Sequence, residues 1–144
     1  MNKTDLYNSF KGILQSESTV EHLFVGEINR RGNAVGFHHD GEFAKGISQI
    51  LPNTITSEDS NKVYKAEVEI KGEKKEKESS FFPIDWTSKQ VLDNILHAYS
   101  NKKKITENLF EGTTSDGITV HFYLHESNHN GKIKTAYPLY YNRI

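Results

Sequence analysis

The chain has 144 residues, 35% of them hydrophobic and 26% charged, and its formal net charge is −1. This length is enough for one domain with its own core and too short for two. The lack of cysteine excludes disulfides, thiolate catalysis and cysteine-ligated zinc or iron–sulfur sites. A nearly neutral chain has no overall basic field for nucleic acid, so such binding must use local basic patches. No apolar run approaches the roughly 20 residues of a membrane span, and no signal-peptide core opens the chain.

The first 20 residues predict an amphipathic helix. Four apolar side chains recur at helical spacing in this segment: Leu6, Phe10, Ile13 and Leu14. Thr4 is expected to cap the helix, and the serines at 16 and 18 are expected to end it. We therefore interpret residues 1–20 as a helical packing or linker segment, followed by one domain over residues 21–144.

Residues 21–40 contain two apolar runs that each carry histidine and that flank a turn-forming cluster, Asn29 to Asn33. The apolar residues on both sides suit strands, so a β-hairpin or β-arch is predicted. Folding back at the turn would bring His22 and His38 near one another, because they lie at the far ends of the two arms. A lone histidine is more often a surface or core residue, but two imidazoles facing one cavity can move two protons near neutral pH.

The middle of the chain predicts strands and one well-marked helix. A strand is expected over Lys62 to Ile70, then a lysine- and glutamate-rich connection to Glu78, then a strand over Ser79 to Pro83. Thr87 and Gln90 form a capping-box pattern, which predicts that a helix begins there. The stripe that this helix should bury is apolar: Val91, Leu92, Ile95, Leu96 and Tyr99.

The last third of the chain predicts an antiparallel meander of three strands, Leu109 to Thr114, Ile118 to His125 and Lys132 to Tyr141. Apolar and polar residues alternate in the second strand, the pattern of a strand with one buried face. Thr135 and Tyr137 are expected on one face of the third strand. The predicted fold class is α+β, a single domain of mainly antiparallel sheets with few helices.

The seven histidines raise the question of a metal site. His38 and His39 are adjacent and would point to opposite faces of a strand, while His121 and His125 have a helical spacing in a segment that predicts strand. A metal site is therefore a minority interpretation, and no metal ligand is assigned. Serine or cysteine triads and glycine-rich phosphate loops have no support. A histidine pair with lysines and hydroxyls instead suits RNA cleavage by the 2′-hydroxyl, which needs a general base and a general acid.

Four spaced blocks of the chain resemble the signature of one enzyme family. They are Glu21-His22-Leu23-Phe24-Val25-Gly26-Glu27, Val35-Gly36-Phe37-His38, Ser79-Ser80-Phe81-Phe82-Pro83-x-x-Trp86 and Gly131-Lys132-Ile133-Lys134-Thr135-Ala136-Tyr137-Pro138. The first two are similar to the Glu-His-Val-Phe-x-Gly-Glu and Gly-Phe-His motifs of EndoU endoribonucleases, which are related to nuclear and viral uridylate-specific enzymes. The last two resemble the bacterial branch. The order of the blocks makes the signal fairly specific.

The resemblance implies catalytic roles for three residues. His22 corresponds to the histidine usually assigned as general acid, and His38 to the general base. His39 is expected to turn away. The family lysine lies before the strand that precedes the main helix, where Lys77 fits best and Lys75, on the same expected strand face, is its competitor.

The resemblance also implies substrate contacts. Thr135 and Tyr137 correspond to residues that contact the base and sugar beside the scissile phosphate. Lys75 and Glu27 are placed with them as substrate-binding residues. No cofactor is expected to be required, although manganese stimulates some relatives.

The implied function is cleavage of single-stranded RNA, with tRNA among the candidate substrates, preferentially at uridine and with a 2′,3′-cyclic phosphate product. Bacterial members are commonly C-terminal toxin domains of secreted or contact-dependent proteins. This implies action in the cytoplasm of a target cell and a cognate immunity protein as partner, without a membrane partner. Two alternatives stay open: a non-catalytic RNA- or protein-binding module on the same fold, and a histidine-ligated metal hydrolase.

Overall fold

The computed structural model describes residues 1–124 and 131–141, which form three α-helices, a short 3₁₀ turn and eleven strands. The α+β class is confirmed, because the helices accompany sheets whose named strands all pair antiparallel. The helices are α1 (Lys3–Phe10), α2 (Glu17–Phe24) and α3 (Ser88–Ser100), and the 3₁₀ turn is Glu42–Ala44. The strands are β1 (Glu27–Ile28), β2 (Ala34–Val35), β3 (Ser48–Ile50), β4 (Tyr64–Ala66), β5 (Val68–Ile70), β6 (Glu73–Lys74), β7 (Ser79–Phe81), β8 (Lys103–Lys104), β9 (Leu109–Thr113), β10 (Thr119–Leu124) and β11 (Ile133–Pro138).

The N-terminal segment is helical, but its caps differ from the prediction. Asn2, rather than Thr4, caps α1 through a reciprocal capping box with Asp5. Ser16 begins the next helix instead of ending the first, because its hydroxyl accepts from the Ser18 amide as the N-cap of α2. The border drawn at residue 20 thus falls inside α2. Both helices contribute to the main core through Leu6, Phe10, Val20, Leu23 and Phe24.

The first arm of the predicted histidine hairpin is a helix and not a strand. Thr19, Val20, Leu23 and Phe24 are the buried residues of α2, and their spacing of one, three and four positions defines a helical face. The prediction failed because the contiguous Leu-Phe-Val run suits either element. Gly26, at φ +87°, ends the helical geometry. The turn itself is confirmed, since β1 and β2 pair across residues 29–33.

The predicted strand over Lys62 to Ile70 is divided at Glu67 into β4 and β5, which belong to different sheets. β4 pairs with β7, whereas β5 lies between β3 and β6. The lysine- and glutamate-rich run contributes the short β6 and then bends before β7. The predicted start of α3 is confirmed, and both hydrogen bonds of the Thr87–Gln90 capping box are present. The predicted buried stripe is wrong at Leu96, which is 42% exposed.

The C-terminal meander is confirmed as a four-stranded sheet in the order β11-β10-β9-β8. His125, which the sequence analysis placed at the end of the second strand, lies outside the described residues. Val120, Phe122 and Leu124 of β10 point into the main core, against α3. The alternate residues Thr119, His121 and Tyr123 therefore lie on the opposite, outer face. A second, smaller core surrounds Phe37, Phe81 and Tyr64.

Candidate active site

One groove, with a cavity volume of about 450 Å³, runs between α2, the residues after β2 and the outer face of β11. Six of the seven residues that the sequence singled out line this groove: His22, His38, Lys75, Lys77, Thr135 and Tyr137. The seventh, Glu27, hydrogen-bonds to His22. Another cavity of about 480 Å³ lies near Gly46 and Lys71, but its lining contains no histidine. The groove is therefore where the chemistry-bearing residues meet.

Backbone hydrogen bonds fix the distance between the two histidines. The last turn of a helix leaves carbonyl groups without helical partners. In α2, the carbonyl of His22 accepts from the Phe37 amide at 2.8 Å, and that of Leu23 accepts from the His38 amide at 2.7 Å. The segment that carries His38 thus runs along the end of the helix that carries His22. Their ring centroids are 6.1 Å apart, with the planes tilted by 42°.

This close approach depends on Gly36. The residue has φ +88°, and a Cβ added there would overlap the His22 carbonyl oxygen and lie 3.1 Å from two atoms of the His22 ring. A glycine is required for both reasons, the left-handed backbone and the lack of space. The next residue, Phe37, also has a positive φ of 68°, and its buried ring packs edge-on against Phe81 at 5.1 Å. The Gly-Phe-His block therefore holds the backbone in the conformation that places His38 beside His22.

His22 has a carboxylate partner. Its Nδ1 lies 3.0 Å from an oxygen of Glu27, which follows the positive-φ Gly26. The hydrogen bond with His22 lowers the pKa of Glu27 and so keeps that carboxyl ionised. Because an ionised carboxylate only accepts, Nδ1 carries a proton in this pair, and Nε2 is the nitrogen that can exchange one with a substrate.

His38 has the opposite environment. It is buried, and its Nδ1 lies 2.8 Å from the Ser80 carbonyl oxygen and 3.3 Å from the Ser79 hydroxyl. A carbonyl only accepts, so Nδ1 carries the proton and Nε2 presents a lone pair. Burial, reinforced by the positive charges of Lys75 and His22, holds the pKa of His38 well below its ordinary value. His38 is therefore neutral at neutral pH and has the protonation state of a general base.

The two candidate lysines have different surroundings. The Nζ of Lys75 is partly buried and donates to the Gly36 carbonyl at 3.1 Å and to the Ser79 hydroxyl at 3.2 Å. Burial lowers the pKa of Lys75 to about 8. Lys77 is exposed at the edge of the same groove. The two lysines do not share a strand face as expected, because the chain bends at residues 76–77.

Thr135 and Tyr137 form part of the facing wall. The ring centroid of Tyr137 is 5.8 Å from that of His38. Burial and a hydrogen bond with the Tyr123 hydroxyl raise the pKa of Tyr137 to about 12, so the phenol is protonated at neutral pH. The Oγ1 of Thr135 is buried and has no hydrogen-bond partner among the described residues. A buried hydroxyl of this kind is costly unless something bonds to it.

Residues 16–140 match the family described as bacterial EndoU nuclease. The chain belongs to that family. It is also 35% identical, over 130 residues, to a protein of Bacillus cereus named Toxin, with 84% of this chain and 22% of the relative covered by the match. The chain thus corresponds to about a fifth of that relative's length. No solved structure matches the chain.

Two further histidines of this EndoU nuclease have distinct environments. His39 is buried away from the groove: its Nε2 donates to the Trp86 carbonyl at 2.8 Å, and its ring packs edge-on against Phe24. His121 adjoins the groove, with its ring centroid 5.7 Å from that of Tyr137 and its Nε2 2.9 Å from Glu111. The sequence analysis considered His121 only as a metal ligand. The alternation of the meander could have placed it beside Tyr137, its cross-strand partner.

Over residues 1–124 and 131–141, no group of three or more histidine, aspartate or glutamate side chains has the geometry to hold a metal ion. No helix there is both long and apolar enough to cross a membrane.

Proposed function

We propose that this EndoU nuclease is a metal-independent endoribonuclease that cleaves single-stranded RNA at uridine and leaves a 2′,3′-cyclic phosphate. The observation that carries the proposal is the pair of imidazoles, 6.1 Å apart in one groove, with different partners on their Nδ1 atoms. The pair combines a neutral general base, His38, with a general acid, His22, that is hydrogen-bonded to a carboxylate. An internal transesterification needs one group of each kind. RNA supplies its own nucleophile, so the reaction requires neither an enzyme nucleophile nor a metal.

The proposed reaction has one proton acceptor and one proton donor. Nε2 of His38 takes the proton of the 2′-hydroxyl, and the resulting oxygen attacks the adjacent phosphorus. The bond from phosphorus to the 5′-oxygen of the next nucleotide breaks, and Nε2 of protonated His22 gives that oxygen a proton. Proton exchange with water then restores both histidines. In-line attack needs both imidazoles on opposite sides of one phosphate, which their separation permits.

Lys75 is our choice for the group that stabilises the phosphorane. A partly desolvated ammonium interacts more strongly with developing negative charge than an exposed one does. With a pKa of about 8, Lys75 is largely protonated at neutral pH. Its bonds to the Gly36 carbonyl and Ser79 fix its position, whereas Lys77 is exposed. Lys77 is the alternative, and its proposed place is on the substrate backbone.

Thr135 and Tyr137 are proposed to select uridine. The unpartnered Thr135 hydroxyl can both donate and accept, as recognition of a pyrimidine edge requires. The Tyr137 ring, close to His38, offers a surface for the base or sugar next to the scissile phosphate.

The biological setting is also a proposal. The similarity to part of a Bacillus cereus protein named Toxin supports a role as the toxin domain of a longer bacterial protein. Such a domain would be secreted or delivered by contact, would act on RNA in the cytoplasm of a target cell, and would have a cognate immunity protein.

The test uses a short single-stranded RNA with one uridine. His22→Ala and His38→Ala should each reduce the cleavage rate by about 10²–10⁴-fold, the usual contribution of a positioned acid or base. His97→Ala, an exposed histidine on α3, is the matched control and should cleave like the parent. Circular dichroism should show that all three variants are folded.

Two substrate and solvent changes test the mechanism. A single 2′-deoxyuridine at the cleavage site should make the RNA inert, and EDTA should leave the rate unchanged. Cleavage of the deoxy substrate, a 5′-phosphate product or loss of activity in EDTA would overturn the proposal and favour a metal hydrolase. Binding of RNA without any cleavage would favour a non-catalytic module.

A further inference from the structure

The outer face of the C-terminal sheet continues past the catalytic groove. Cross-strand pairing places His121 opposite Tyr137 and Tyr123 opposite Thr135. The other face of the sheet is closed by α3, which packs so near that any side chain at Gly112 would overlap the carbonyl of Ala98. The outer face is therefore the one that a ligand can approach, and it carries a row of aromatic and hydrogen-bonding side chains.

A β-bulge adds a lysine to this row. Tyr123 pairs with Thr135 and Leu124 pairs with Ile133, so Lys134 is an extra residue in β11. Regular alternation would point Lys134 to the face opposite Thr135, into the core. The bulge allows Ile133 and Ala136 both to be buried while Lys134 is exposed. The irregular register thus keeps a positive charge at the end of the outer face.

A cavity of about 290 Å³ lies at this end, lined by Asn108, Tyr123, Leu124, Lys134 and Thr135. Thr135 also lines the catalytic groove, so the two cavities adjoin through one side chain. Tyr123 is 38% exposed, and its ring centroid is 6.5 Å from that of Tyr137. A strand of RNA that occupies the groove at Tyr137 would therefore meet this second cavity next.

We propose that Tyr123, Lys134 and Asn108 form a second nucleotide subsite, which binds the nucleotide next to the one held by Thr135 and Tyr137. Tyr123 supplies a surface on which a base can stack, Lys134 a cation for a backbone phosphate, and Asn108 an amide for a base edge. An exposed aromatic ring with a cation and a continuous path to a phosphate-cleaving groove fits single-stranded RNA. The inference rests on the proposed ribonuclease function.

The test measures binding of RNA of increasing length by fluorescence anisotropy. The probes are an RNA dinucleotide with 2′-deoxyuridine at the cleavage site, which the proposed mechanism cannot cut, and trinucleotides that extend it by one residue on the 5′ or the 3′ side. For the parent, one of the two extensions should tighten binding roughly 5- to 150-fold, the range expected for one stacked base. Tyr123→Ala should remove this gain, so that the trinucleotide and the dinucleotide bind with about equal affinity.

Tyr123→Phe separates stacking from positioning. The Tyr123 hydroxyl raises the pKa of the neighbouring Tyr137, so Tyr123 could act only by orienting Tyr137. Phenylalanine keeps the ring and lacks this hydroxyl. A subsite predicts that Tyr123→Phe retains the affinity ratio. The proposal would be overturned if Tyr123→Phe and Tyr123→Ala lost the affinity gain of the trinucleotide equally. It would also be overturned if neither variant changed that gain.

The lysine is tested by salt dependence. Lys134→Gln should reduce the slope of log K against log salt for the favoured trinucleotide by about 0.7, the value for one phosphate contact in a single strand. Lys89→Gln removes one charge on α3, across the sheet from the subsite, and should leave the slope as in the parent. Equal slopes in parent and Lys134→Gln would contradict the assignment of Lys134.

These measurements are independent of cleavage. If the binding ratio depends on Tyr123 while the matching uridine RNA is not cut, the proposed ribonuclease function fails and the subsite stands. If the uridine RNA is cut but no extension improves binding or kcat/KM, the subsite fails and the ribonuclease function stands.

Discussion

Replacement of Gly36 by alanine tests whether the backbone, and not only the side chains, builds the catalytic groove. The added Cβ would overlap the His22 carbonyl oxygen and lie 3.1 Å from the His22 ring. To relieve the overlap, α2 and the segment that carries His38 must separate by about 1 Å, a displacement that can cost on the order of 10²-fold in rate. The positive φ should also cost about 1–2 kcal/mol in the free energy of unfolding.

Gly32→Ala provides the matched control. Gly32 has φ +83°, nearly the φ of Gly36, but nothing lies within 4 Å of its added Cβ. The positive φ should cost both variants about 1–2 kcal/mol of stability, and the overlap with the His22 carbonyl should make the loss larger in Gly36→Ala. Only Gly36→Ala should lose activity. The assays are denaturant unfolding and single-turnover cleavage of a uridine-containing RNA at saturating enzyme. Cleavage by Gly36→Ala at the Gly32→Ala rate would refute the argument that this contact sets the spacing of His22 and His38.

Two more predictions concern a lysine and a buried histidine. Lys75→Ala should lower kcat about 10²–10³-fold with little change in RNA affinity, because its charge acts mainly on the transition state. Lys77→Ala should mainly weaken binding, and a larger kcat loss in Lys77→Ala than in Lys75→Ala would reverse our assignment. For stability, burial lowers the pKa of His39 below its ordinary value of 6.5 in the folded chain. The unfolded chain then binds more protons below pH 6.5, so the free energy of unfolding should fall as the pH drops from there. His39→Gln should weaken this fall relative to the exposed control His97→Gln, and parallel melting curves against pH for the two variants would contradict it.

Elements with redundant local signals could be predicted from the sequence. The helix α3 has a capping box, an apolar stripe and no internal breaker, and all three agree. The alternation in β10 likewise has one interpretation, since its apolar residues occupy every second position. The pairing of His22 and His38 was also anticipated, although through a hairpin that the structure replaces with a helix end.

Elements whose identity depends on distant partners could not be predicted. Leu23, Phe24 and Val25 are apolar in a row, and only their packing against the α1 side of the core decides that they end a helix. The break at Glu67 is similar, because strands on its two sides pair with β7 and β3, which are far apart in sequence. Local propensity contains no information on such pairings.

The lysine assignment shows the same limit at the level of the site. In the run from Lys71 to Glu78, lysines and glutamates have similar propensities and no apolar residue fixes a register, so only the family resemblance and strand alternation could guide the choice of lysine. The structure instead distinguishes Lys75 by a bond to the Gly36 carbonyl, 39 positions away in the chain. That carbonyl is available because the Gly36 backbone runs beside the end of α2, where it also sets the position of His38. The features that distinguish Lys75 from Lys77 therefore follow from the same backbone arrangement that joins the two histidines, so they could be found only once that arrangement was known.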